Sequence, residues 1–243
     1  MKKYLFTVLF CAGIISGLFM SCKKIQTPQA EIERKEWIAG FTDSIEFYQQ
    51  KKNEAETKLE SLNSRISALL ENFELVKNPR EVSGYYLLKG WNKKIPFTST
   101  GVYARLNENE KIEIIATLGG HTFNRIGVGT GSAVVFSEAV PHDQAFNYRH
   151  ERYNTVYFSG GKADTVAQYI ADNRGSKINI EFLEGSKKYP FILPADEKEM
   201  ITKTWDLHAA QLEARQLQKE LFISSKKIDT FRRIMDMQNL EEK

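Results

Sequence analysis

The sequence predicts an α+β protein in which N- and C-terminal helices form a long antiparallel two-helix coiled-coil stalk. Between them lies an inserted β-rich domain, a sandwich or partly open barrel carrying one short helix. Three observations predict this. Apolar residues recur in alternating steps of three and four near one end of the chain, the same spacing returns near the other, and residues 79–194 between them change to short β-branched and aromatic runs broken by Gly, Asn and Pro. An aromatic content of 12% belongs to a folded chain and not to a disordered one.

In chain order, residues 1–21 come first, with Lys2 and Lys3 as a positive start and Tyr4 to Met20 as an almost unbroken apolar stretch. A secretory signal has this plan. Its end, Leu18-Phe19-Met20-Ser21-Cys22, resembles the lipobox of bacterial lipoproteins, with Phe19 and Met20 bulkier than the usual box. The resemblance implies cleavage after Ser21, a lipid on Cys22 and a palmitate-type acyl anchor holding the chain to a membrane of the cell envelope. An ordinary signal cut elsewhere and an uncleaved anchor are the alternatives, although the apolar stretch is short against the roughly 20 residues a bilayer core asks for. The one other cysteine, Cys11, lies inside the segment that would be removed. Lys23 and Lys24 differ from the acidic residues that follow the cysteine in some surface-exported lipoproteins, which favours a periplasm-facing protein.

Removal of residues 1–21, with their two lysines, leaves 32 basic against 31 acidic side chains. That balance lacks the basic excess a nucleic-acid partner requires. Residues 22–27 read as a tether, and Thr27-Pro28 supplies a helix cap with proline at the first helical position. The first stalk helix is expected over 28–78. Its seam reads Ile38, Phe41, Ile45, Tyr48, Lys52, Ala55, Leu59, Leu62, Ile66, Leu69, Phe73 and Val76, ending before Pro79.

The second helix is expected over 195–243, opened by a capping-box pattern at Asp196 and Glu199. Its seam reads Met200, Lys203, Leu207, Ala210, Ala214, Leu217, Leu221, Ser224, Ile228, Phe231, Met235 and Gln238. Equal seams on either side of an insert predict antiparallel pairing. With facing positions summing to 276, Lys52 meets Ser224 and two polar seam residues share a layer. The alternative is that each helix packs on the β domain or on copies of itself, because Trp205, Leu212, Phe222, Ile223, Ile234 and Met237 lie off the seam and need cover or self-association. His208, beside the seam, is expected on the helix surface.

Strands are expected near 84–91, 100–106, 111–118, 124–129, 133–139, 155–159, 177–183 and 189–193, with a hairpin turn at Asn107 to Glu110 and a helix over 163–173. Gly127-Val128-Gly129-Thr130-Gly131 has the glycine density of a phosphate loop, but strand and not helix follows it, so hairpin glycines are expected. Gly160-Gly161 does sit between a strand and a helix, where an anion could meet backbone amides; a plain turn is the simpler expectation. No nucleophile elbow, zinc-hydrolase helix motif or paired redox cysteine is present, and no cofactor is implied.

The densest polar and aromatic cluster is the connection from Pro141 to Asn154, expected as a long loop. Loops of that length often carry function. His142, Tyr148, Arg149, His150, Arg152 and Tyr153 are the candidate ligand or partner contacts, since Tyr and Arg dominate binding hot spots. A metal would need His121 to join His142 and His150, and none is assigned. The functional expectation is a lipid-anchored envelope protein displaying a binding or scaffolding domain to an envelope protein or small ligand. The alternative is a membrane-tethered enzyme acting on envelope polymer or lipid near 141–154.

Overall fold

The computed structural model describes residues 28–77, 83–94, 99–131 and 134–240. The signal segment, Cys22 and the tether therefore lie outside the described residues, as do Pro79 and residues 241–243. No helix among the described residues is long and apolar enough to cross a membrane. The protein is α+β, with three helices and two sheets of antiparallel strands among the described residues.

Helix α1 spans Pro28–Leu70 and stops before the expected end. Asn72 turns its side-chain amide back onto the carbonyls of Ala68 and Leu69, at 3.3 and 3.2 Å, occupying acceptors that helix continuation would have used. Phe73 and Val76, expected as the last two seam positions, are instead in strand β1 (Phe73–Val76), which pairs with β2 (Tyr85–Leu88). The sequence Phe-Glu-Leu-Val suits either state. Ladder pairing with β2 and burial of Phe73 decide for the strand.

Strands β3 (Gly101–Asn107) and β4 (Ile112–Gly119) form the expected hairpin. At its turn Asn107 Oδ1 accepts from the amides of Asn109 and Lys111, and Glu110 has φ 58°. After β5 (Arg125–Gly129) and β6 (Val134–Phe136) the chain enters β7 (Asn147–His150), where a loop is expected from sequence, and returns through β8 (Tyr153–Ser159). Helix α2 (Gly161–Asp172), β9 (Asn179–Glu184), β10 (Lys187–Ile192) and helix α3 (Ala195–Leu240) complete the chain. Sheet order is β1-β2-β3-β4-β8-β7 in the larger sheet and β10-β9-β5-β6 in the smaller.

One core joins both sheets. Ile114, Phe158, Ile126 and Phe182 from the sheets, Val166 and Ile170 from α2, and Met200 and Leu207 from α3 bury in a single cluster. The glycines of 127–129 are strand residues, as expected. A Cβ at Gly127 would lie 2.9 Å from Phe136 Cε1, because the Phe136 ring lies over that glycine.

Helix α3 plays two structural parts along its length. From Met200 to Gln211 it is buried on several sides by the domain, and it covers a gap in the larger sheet. Strand β2 pairs only with Leu106 and Asn107 of β3, so the amides of Val102 and Ala104 face α3 instead. Val102 N–H donates to Glu197 Oε2 at 2.8 Å and Ala104 N–H to Met200 Sδ at 3.3 Å. A strand edge that would otherwise be left open is thereby closed. His208 also belongs to this embedded half, contrary to its expected surface position. It is 3% exposed, with Nε2 3.4 Å from Asp164 Oδ1 of α2, and burial holds its pKa below the usual value. Packing of α2 against α3 removes that face from water.

Beyond Leu212, α3 buries a single face, through Ala214, Leu217, Ser224 and Ile228. Ala55 and Leu62 of α1 cluster with Ala210, Ala214 and Leu217, and the Phe231 ring lies 5.4 Å from Phe41 and 6.0 Å from Tyr48. Lys52, a polar seam residue, is one-third exposed and pairs with Glu56 at 3.7 Å.

Candidate functional site

The segment expected as a loop is a hairpin held by a turn. Asp143 Oδ1 accepts the amides of Ala145, Phe146 and Asn147, and Asp143 N–H donates to Asn147 O at 2.9 Å. Those amide bonds, that of Phe146 first and Asn147 next, hold its carboxyl below the usual range. Behind the turn Asn147 and Asn154 are each 1% exposed. Asn147 Nδ2 donates to Val140 O and Phe123 O, Asn154 Nδ2 donates to Asn147 Oδ1 and Tyr148 O, and Asn154 Oδ1 accepts Phe123 N–H. Satisfied buried networks of this kind fix one backbone arrangement. The Phe146 side chain, projected from the turn, is 59% exposed.

Five of the six sequence candidates gather on this hairpin. Tyr148 stacks on Tyr157 with centroids 6.2 Å apart and hydroxyls 3.4 Å apart. Arg149 Nε donates to Glu151 O at 3.2 Å, and His150 closes the pairing opposite Tyr153. Arg152 lies over the Tyr153 ring at 5.1 Å and donates to its hydroxyl at 2.8 Å. Tyr148 and Tyr153 are half-buried, whereas Arg149, His150 and Arg152 are exposed. His142 is set apart, with Nε2 3.2 Å from Glu184 Oε2 at the end of β9. His121 stacks on Tyr189 at 4.3 Å, so the three histidines do not converge, and no group of three or more metal-ligating side chains exists among the described residues.

Sequence reasoning missed what continues the site across the sheet. Arg105 is 9% exposed, pairs with Glu113 at 2.7 Å, and lies 4.2 Å from the Tyr85 ring and 5.4 Å from that of Tyr157. Burial, then neighbouring Tyr103, pushes the Tyr157 hydroxyl far above its usual pKa, so Tyr157 stays neutral. The alternation Tyr103, Arg105 in β3 and Tyr153, Thr155, Tyr157 in β8 is the sequence signal for this layer. Together the hairpin and the half-buried Tyr85 and Tyr157 rings offer aromatic faces, guanidinium donors and imidazoles on a fixed backbone. Such a surface suits recognition. The exposed contact nearest in kind to an acid–base pair, His142–Glu184, is set apart from it. No protein-family profile matches the chain, and neither a curated protein nor a solved structure matches it.

Proposed function

We propose that this chain is a lipid-anchored bacterial cell-envelope protein that displays a binding or scaffolding domain on a coiled-coil stalk, facing the periplasm. Cys22 carries the lipid, α1 and the outer part of α3 form the stalk, and the β7–β8 hairpin meets an envelope protein or small ligand. The observation that carries this reading is the burial pattern of the two long helices. On α1 the least exposed residues, Ala55 and Leu62, fall in the heptad seam, and on α3 beyond residue 212 so do Ala214, Leu217, Ser224 and Ile228. Phe231 touching both Phe41 and Tyr48 centres it on position 45, in agreement with the 276 register. The 43 residues of α1 extend about 65 Å, enough to hold a domain well clear of a membrane of about 30 Å core thickness. Two sheets sharing one core favour the sandwich over the barrel.

A photo-crosslinking residue at position 149 in growing cells, followed by mass spectrometry, tests the display role. A crosslinked envelope component that disappears on Phe146→Ala is expected. Acyl labelling lost in Cys22→Ser is expected of the anchor, and an unlabelled Cys22 thiol in the isolated protein would overturn it. The enzyme alternative has the His142–Glu184 contact in its favour. Turnover on envelope extracts, abolished by His142→Ala in a folded protein, would replace the binding role.

A further inference from the structure

We propose that one flank of the paired helices is a docking surface for a second copy of this chain, standing parallel beside the first. The proposal rests on the stalk and anchor described above and gives self-association a face and a direction.

Exposed apolar residues of the long helices are concentrated on that flank. Leu212 (37% exposed), Ile223 (43%) and half-buried Ile234 follow one another at intervals of 11 residues, three helical turns, and so point the same way. Ile223 lines a notch of about 220 Å³ between the helices together with Tyr48, Lys51, Ala55 and Ser224. On α1, Phe47 (51% exposed) is in line with Lys51, whose ammonium lies 4.8 Å over its ring. Trp37 (38% exposed) stands three turns before Tyr48, so it continues the seam and does not belong to this flank. Phe222 and Ile32 lie on other faces and have no such company.

Size and shape agree with a second copy. From Leu212 to Ile234 the stripe is about 33 Å long, and two helix widths make it about 20 Å across, or roughly 660 Å² per copy. A standard interface buries about 800 Å² per partner. The notch exists because Ala55 and Ser224 are small, and the apolar residue on its rim is Ile223. A two-fold axis along the helices keeps every residue at its own height. Ile223 of each copy then meets the other's notch. Charge is balanced around that level, with Lys51 and Lys58 against Glu54 and Glu220, so each copy offers both partners for interfacial ion pairs. Parallel orientation follows from anchoring, since the lipid-bearing Cys22 would precede α1 by only five tether residues and every copy stands the same way up.

The test uses the full chain in its native membrane, with Cys11→Ser, Cys22 retained, and single substitutions Leu212→Cys, Ile223→Cys or Ile234→Cys. Oxidation should yield homotypic disulfide dimers at all three positions, at least tenfold above Phe222→Cys. Dimers at no more than one of the three mean antiparallel contact, and crosslinks to a different protein mean another occupant; either overturns the proposal, as does the absence of dimers. Two controls separate failures. Dimers without an introduced cysteine would mean that Cys22 is unlipidated, and failure of an intrachain disulfide in Leu62→Cys/Ala214→Cys would remove the helix pair itself. Ile223→Glu should abolish the dimer in mild detergent by native mass spectrometry, while Phe222→Glu leaves it intact.

Discussion

Glu197→Gln should convert a pH-dependent joint into a pH-independent one. The Glu197 carboxylate is 9% exposed where α3 crosses the uncovered edge of β3, and it accepts the Val102 amide at 2.8 Å. Burial pushes its pKa up to about 7, with Asp196 adding to the rise, against the opposing Val102 amide and Lys94 ammonium. A carboxyl whose pKa is higher folded than unfolded binds its proton more tightly in the folded state. Its contribution is therefore fully present below the unfolded value of about 4.5 and is lost as pH rises through about 7. Between pH 5 and 8 this shift corresponds to about 2.5 kcal/mol, or about 2 kcal/mol when discounted for solvent screening at this edge of the sheet. Glutamine keeps an acceptor for Val102 and cannot ionise.

Urea unfolding followed by tryptophan fluorescence at both pH values reads the difference. The natural protein should lose about 2 kcal/mol more than the Gln variant between pH 5 and 8, a midpoint shift of roughly 1 M at unchanged slope. At pH 8 the variant should be the more stable of the two. Parallel pH dependences would refute the assignment, and a variant weaker at pH 8 would show that the charge, not merely the acceptor, holds the joint there.

Asn154→Ala removes three hydrogen bonds, two of them buried, and orphans the Phe123 amide, and should cost about 2–4 kcal/mol in thermal or urea unfolding, with faster hydrogen exchange at Phe123. Asp143→Ala should lower photo-crosslinking from position 149 while leaving global unfolding nearly unchanged, since the turn it holds is exposed. Gly127→Ala should displace the Phe136 ring and break its 4.5 Å contact with Arg125 at a cost of about 1 kcal/mol, visible as a shift of the Phe136 ring resonances. Leu62→Ala, in the cluster with Ala210 and Ala214, should destabilise by about 2–4 kcal/mol. A change under 0.5 kcal/mol there would mean that α1 and α3 do not pack at this level.

The helices were legible because one burying face leaves a spacing of three and four that no strand can mimic over 30 residues. Legibility failed where polar residues are buried or where two periods coincide. Phe73 and Val76 fit a helical face and a short strand alike, and only β2, distant in sequence, chose between them. In β7 the residue that goes inside is Asn147, whose partners Val140, Phe123 and Asn154 come from three other stretches of chain. Nothing in Asn-Tyr-Arg-His announces a strand with a buried amide. His208 is expected on the surface, and Glu197 is not singled out at all, for a related reason. The paired-helix seam predicts one buried face of α3, while α2 and the shortness of β2 determine which further faces its first turns bury. In the candidate site, residue types singled out the segment, but its rigidity and the prominence of Phe146 depend on hydrogen bonds that spacing does not encode.

Sheet order connects these parts. Strand β1 continues from α1 and occupies one edge of the larger sheet, whereas β7, with most of the candidate contacts, occupies the other. Five strand spacings of about 4.8 Å separate them, about 24 Å. The surface is thus held away from the helices on the side of the sheet remote from α1. A hairpin hanging at that distance would gain nothing from a long helical support if it moved freely. Its Asn147–Asn154 network and Asp143 turn instead tie it to the core, and α3 ties the core to the outer helix pair through one continuous helix with Glu197 at its root. Rotation of the helices is therefore transmitted to the hairpin without an intervening hinge in α3. If the hairpin binds the partner proposed above, a Gly-Pro pair inserted at residues 212–213, where α3 leaves the domain, should leave binding by the isolated protein intact and abolish the proposed crosslink in cells; unchanged crosslinking would mean that the helices set only the distance and not the direction of the hairpin.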